Sequence, residues 1–199
     1  MSVFISWSGK RSRRVAEAFY ECLPPILAKS KSDFYLSTGI YKGADWNANL
    51  NDGLQAANFG ILCVTKENYS APWMIYEAGF LSHKAGIGKV APFLLDISPS
   101  ELQGPVTQFQ STVFEKRDLE ELVVAVYRSE TSHIQENDVR SSFNTVYDKL
   151  AEGLHEALAM RVEDGAEDMA RKTLAGVEQL LHFSAENQTL LKEIVSGLK

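Results

Sequence analysis

The chain has 199 residues, of which 45% are hydrophobic and 23% charged, and a net charge of −6 at pH 7. This length suits one compact domain with an appendage, or at most two small domains, and the composition is that of a globular protein with an ordinary core. The acidic balance argues against a protein whose main task is gripping nucleic acid, while leaving room for a small basic pocket.

Residues 3–6, Val-Phe-Ile-Ser, form a short apolar run that reads as a first strand. Val15, Phe19, Cys22, Leu23 and Ile26 then follow helical spacing, until Pro24-Pro25 is expected to disturb the last turn. Residues 34–37 read as a second short strand. A glycine-containing loop over residues 38–44 leads into a helix stripe of Trp46, Leu50 and Leu54. Residues 59–65 are a continuous run rich in Ile, Leu, Cys and Val, the pattern of a strand buried on both faces. A helix should follow, with Ser70 as N-cap and Pro72 in its first turn. Residues 90–95 and 112–114 supply two more strands. Asp118 is placed to cap a helix through Leu119, Leu122, Val123 and Val126. Gly86-Ile87-Gly88 reads as a turn before the fourth strand.

Strands alternating with helices imply an α/β fold with a parallel sheet covered on both faces. Five such strands suggest the flavodoxin-like order 2-1-3-4-5, in which ligands bind at the carboxyl ends, at the switch point between the first and third strands. After about residue 130 no strand signal appears, so the expected division is a sheet domain over 1–130 and a helical C-terminal extension over 131–199. Phe143, Val146, Tyr147, Leu150, Leu154 and Leu158 mark one amphipathic helix of this extension. Beyond an acidic turn at residues 163–167, Leu174, Val177, Leu181, Leu190, Leu191, Ile194, Val195 and Leu198 mark one or two more.

The two cysteines, Cys22 and Cys63, sit in apolar segments, as buried thiols of a reducing compartment do. The first residues carry no basic region followed by an apolar export segment, and no apolar run approaches the ~20 residues needed to cross a bilayer. A cytoplasmic protein without a membrane or nucleic-acid partner is expected. The four histidines are scattered, with no pair at metal-ligand spacing, so no metal site is expected. Walker-type and dinucleotide-fold glycine fingerprints are missing, and Ser8 has no sequence partner arrangement to activate it as a nucleophile.

Two features converge on the expected switch point. Trp73 and Glu77 are four residues apart and share a helix face directly after the third strand. Taken alone the pair carries little, since most helical glutamates are simply solvated. The segment Ser6-Trp7-Ser8-Gly9-Lys10-Arg11, with Ser12, Arg13 and Arg14 after it, follows the first strand and opens a helix. It offers hydroxyls, helix N-terminal amides and cations, a combination suited to anions, and a solvated basic face is its plainer reading. The loop around Tyr41 and Lys42, ending at Trp46, could close over a ligand, although Trp46 serves equally well as the first core residue of its helix.

These residues form an ordered set that resembles Toll/interleukin-1 receptor (TIR) domains. Val3-Phe4-Ile5-Ser6-Trp7-Ser8 resembles the first box of that family, and Gly43-Ala44-Asp45-Trp46 with Leu50 and Leu54 looks like the end of its BB loop and the helix after it. Residues 58–65, then Asn68-Tyr69-Ser70-Ala71-Pro72-Trp73 and Glu77, are similar to its third strand and catalytic helix. Pro92-Phe93-Leu94-Leu95, Gly104-Pro105 and Gln108-Phe109-Gln110 resemble a bacterial branch. The match spans roughly the first two-thirds of the chain. An acidic residue after the first box is missing, with Lys10 and Arg11 nearby, and the loop lacks the arginine-aspartate-proline-glycine pattern of animal receptors.

The resemblance implies a flavodoxin-like fold and an NAD+ glycohydrolase or cyclase that cleaves the nicotinamide–ribose bond, with NAD+ as substrate and no cofactor. Glu77 would be the catalytic carboxylate. Ser6, Trp7, Ser8, Lys10, Arg11, Ile40, Trp46 and Trp73 would bind substrate. The products would be nicotinamide and ADP-ribose or a cyclic ADP-ribose-type signal, in a setting such as bacterial anti-phage defence. Self-association through TIR–TIR contacts, and a protein partner or downstream effector, are implied as well. The competing readings are a non-catalytic TIR interaction module and a nucleoside deoxyribosyltransferase-like enzyme, which also places a glutamate on a flavodoxin-like sheet.

Overall fold

A computed structural model describes residues 2–37, 53–129 and 134–160. Five strands, β1 (Ser2–Ser6), β2 (Phe34–Leu36), β3 (Ala57–Val64), β4 (Val90–Leu94) and β5 (Thr112–Val113), pair in parallel in the order β2-β1-β3-β4-β5. This is the flavodoxin-like order expected from the sequence. Helices α1 (Lys10–Ile26), α2 (Pro72–Ala85), α3 (Lys116–Arg128) and α4 (Glu136–Ala159) flank the sheet. Among the described residues no helix is long and apolar enough to cross a membrane.

The two-residue alternation of the strands divides the core into two layers. Val3, Ile5, Ile61, Cys63 and Phe93 face α1, α3 and α4. Phe4, Leu62, Val64 and Leu94 face the other way, toward Met74, Ala78 and Leu81 of α2. A Cβ at Gly60 of β3 would lie 2.5 Å from Leu81 Cδ1, so the missing side chain sets how closely α2 approaches the sheet.

The helix ends depart from the sequence reading in three places. Pro24 and Pro25 lie inside the last turns of α1 and do not break it. The Leu27 and Lys29 amides donate to the Leu23 and Pro24 carbonyls (3.0 and 2.9 Å), and Ala28 adopts a left-handed φ of 52°. The prolines therefore sit where the helix is already closing through a left-handed C-terminal motif. Ser70 is not the cap of α2; Ala71 holds that position without a side-chain cap, and the Pro72 ring presets the first turn. Asp118 lies inside the first turn of α3, where its carboxylate accepts the Val113 amide (2.6 Å) and so ties helix to strand.

The amphipathic helix expected around residues 143–158 is α4. Val139, Phe143, Leu150, Leu154 and Ala157 are buried in the same apolar layer as α1 and the sheet. Gly153 lets α4 lie close to α1, since a Cβ there would come within 2.9 Å of Ala18 Cβ. The buried face of α4 thus shares the core of the sheet domain. The helices expected beyond residue 163 lie outside the described residues.

Candidate active site

The geometry follows from register. In the β1–β2 ladder Ile5 pairs with Leu36, and the Ser37 amide donates to the Ile5 carbonyl (2.8 Å), extending the ladder past the end of β2. Ser6 therefore has Ser37 as its lateral neighbour. Two-residue alternation puts Ser6 on the Phe4 face and Ser37 on the Tyr35 face, the layer covered by α2. The result is two buried hydroxyls side by side at the carboxyl edge of the sheet.

Glu77 of α2 lies across both. The Ser6 hydroxyl donates to Glu77 Oε2, and the Ser37 hydroxyl donates to Oε1 at 2.7 Å. One helical turn earlier, Trp73 donates its indole N–H to the same Oε1 at 2.6 Å. Trp73 is half-buried and stacks on Tyr76, with centroids 5.2 Å apart. Glu77 itself is fully buried.

Removal from water pushes the Glu77 carboxyl up from an ordinary 4.5 to about 7, and the hydrogen bonds from Ser6, Ser37 and Trp73 pull against that rise. Glu77 in turn adds to the upward push that burial gives the Cys63 thiol and the Tyr76 phenol. The groups acting on this carboxyl are thus neutral donors and weak acids. Such a carboxyl titrates near neutrality, and its charged form is a strong attractor for a cation.

The loop after β1 is braced from two sides. Asn68 donates to the Ser8 and Cys63 carbonyls (3.0 Å each) and accepts the Thr65 amide (2.7 Å), joining the ends of β1 and β3. The Ser8 amide donates to the Ser12 hydroxyl (3.0 Å), which donates back to the Ser8 carbonyl (2.7 Å). Gly9 opens α1 with φ 98°, ψ 161°, a conformation that requires glycine.

Of the residues nominated from the sequence, the structure brings Glu77, Trp73 and Ser6 together. Trp7 turns to the opposite face, packing against the α1 layer with the Arg13 guanidinium 5.5 Å from its ring. Ser8 is a loop residue held by backbone contacts, and Lys10 is exposed at the first turn of α1. Arg11 is buried. Its guanidinium donates to Asp96 and to the Met160 carbonyl (2.6 Å), and Glu67 lies 3.4 Å away, so nearby carboxylates already balance its charge. Ile40 and Trp46 lie outside the described residues, as do Tyr41 and Lys42.

Ser37 does not stand out in the sequence. Its only sequence signal is a small hydroxyl residue at the end of a strand adjacent to β1, and that signal acquires meaning only with the β1–β2 register. A separate cavity of about 600 Å³ lies toward the amino ends of β3, β4 and β5, lined among others by Phe59, Val90, Thr112, Asp118 and Arg128. It includes none of the nominated residues. The chemistry converges instead on the carboxyl edge, as the fold leads one to expect.

Neither protein-family models nor curated proteins give a match to the chain. Fold and site together define a flavodoxin-like α/β protein with a buried, hydroxyl-held carboxyl at the carboxyl edge of its sheet.

Proposed function

We propose that the protein cleaves NAD+ at the nicotinamide–ribose bond, with Glu77 as the catalytic carboxylate. The observation that carries this reading is the placement of Glu77 at the carboxyl edge, buried and held by Ser6, Ser37 and Trp73. Breaking the bond sends its electron pair to the nicotinamide nitrogen, which neutralises the ring and leaves positive charge on the ribosyl carbon. Nicotinamide leaves without protonation, so no strong general acid is needed. What the reaction needs is a negative charge fixed in a dry site beside the developing cation, and an ionised Glu77 supplies it. Capture of the cation by water, which then loses a proton, gives ADP-ribose. Capture by a nucleophile of the same molecule gives a cyclic product.

Glu77 is sealed from solvent, so a substrate reaches it only by displacing what covers it. Self-association of the chain, expected from the TIR resemblance, is the proposed means of that opening. On this reading the protein works in the cytoplasm as an assembly, and NAD+ consumption or a nucleotide product is its output.

The test is chromatographic and mass analysis of NAD+ after incubation with concentrated wild-type protein and with Glu77→Ala. The expected result is nicotinamide release by wild type and a loss of about 10²–10³-fold in the variant. Equal turnover by both proteins would overturn the role of Glu77. Intact NAD+ under assembly-promoting conditions would favour an interaction module, and base exchange on deoxynucleosides would favour a deoxyribosyltransferase.

A further inference from the structure

We infer that Ser37 is a positioning residue for Glu77, saturating one carboxylate oxygen so that the other is the one presented to a ligand. The inference rests on the reading of Glu77 as the working carboxylate. An ionised carboxylate accepts about four hydrogen bonds, two at each oxygen. Oε1 already receives two, from Ser37 and Trp73. Among the described residues Oε2 receives one, from Ser6, which leaves it one further acceptor position. Once the cover over the buried carboxyl is displaced, as the proposed function requires, a sugar hydroxyl or a developing cation meets the Oε2 edge, beside Ser6.

Trp73 and Ser37 approach Oε1 from different elements, one from α2 itself and one from the end of β2. A single donor would let the carboxyl group rotate about its terminal bond; two donors on one oxygen and a third on the other fix its plane. Ser37 does not touch the Oε2 edge, so it acts on a ligand only through Glu77. It also favours the charged form, because its hydroxyl donates to the carboxylate. Among the described residues, the titratable groups coupled to Glu77 are Cys63 of β3, which lies on the opposite face of the sheet, and its chain neighbour Tyr76, both driven toward their neutral forms by burial. Burial is the larger influence and favours the neutral carboxyl, while the donors, with Ser37 among them, pull the balance back toward the carboxylate.

The test titrates the Glu77 side chain by ¹³C NMR in protein carrying labelled glutamate, with its signal identified by loss in Glu77→Gln. Ser37→Ala, Ser37→Thr and Ser37→Val are compared with wild type, Thr and Val being matched in shape and differing in the hydroxyl. Loss of the donor in Ala and Val raises the midpoint by about one pH unit, and Thr restores it. Under the proposed activity, Ser37→Ala lowers kcat about fivefold at pH 7 and recovers most of it at pH 9, because ionisation is then complete again. KM changes less than kcat. An unchanged midpoint in folded Ala and Val proteins overturns the inference, and so does a Thr midpoint that moves as far as Val. If the midpoint moves as expected but wild type leaves NAD+ intact, the proposed activity fails while the positioning of Glu77 by Ser37 stands. Glu77-dependent cleavage with a flat titration and pH profile in the Ser37 variants has the opposite meaning.

Discussion

Replacing Glu77 by Gln should change how stability depends on pH far more than it changes the fold. In wild type the buried carboxyl titrates at about 7 instead of an ordinary 4.5. The folded protein therefore holds this proton more tightly than the unfolded chain does. Stability from this group is fully present below about pH 4.5 and is lost as pH rises through about 7. A difference of roughly 2.5 pH units corresponds to about 3 kcal/mol between acid and alkaline limits. Glu77 is fully buried, so solvent screening does not reduce this much. Gln keeps an oxygen for the Trp73 indole, and the serine hydroxyls can rotate to accept from its amide. The variant should match wild type near pH 4 and exceed it by about 3 kcal/mol at pH 8, or roughly 6–12 °C in Tm for a chain of this size. Urea denaturation of both proteins from pH 4 to 8 measures the difference directly, since titrations elsewhere cancel. Parallel stability curves would refute the reasoning.

Three further outcomes follow from the packing. Ala28→Gly relieves the left-handed backbone at the end of α1 and should raise stability by about 0.5–1 kcal/mol, seen as a small rise in Tm. Gly60→Ala drives a methyl into Leu81 and should cost about 1–3 kcal/mol in urea denaturation; Leu81→Val on that background recovers part of the loss. Phe143→Ala in α4 should cost about 3–5 kcal/mol, as expected for a fully buried ring, whereas a helix merely appended to the domain would lose far less.

The sheet was readable from the chain because each strand is a short apolar run between helical stripes. Residues 59–65 and 90–95 are apolar on both faces, the mark of strands covered from either side, and the structure places β3 and β4 there. The Trp73–Glu77 pair was readable because four-residue spacing is a property of one helix. Ser37 was not, because its partner lies 40 positions away and the contact depends on how β1 and β2 align. Arg11 looked like an anion ligand because cations at a helix start usually are available; only the fold brings Asp96, Glu67 and the end of α4 to it. The cap at Ser70 misled for a local reason, since Pro72 at the first turn presets helical backbone without a side-chain cap. The change in character after residue 130 marks the end of strand signals rather than the edge of the core, which α4 completes.

That last feature has a consequence for the order of events during synthesis. All five strands have been made once Val113 has emerged, yet the outer side of α1, with Ala18 among its buried residues, awaits the stretch of α4 around Gly153. At about 5–20 residues per second, the nascent chain spends a few seconds with a finished set of strands and an uncovered apolar helix. Until α4 leaves the ribosome, the half-built domain is a natural client for chaperones that hold exposed apolar surface.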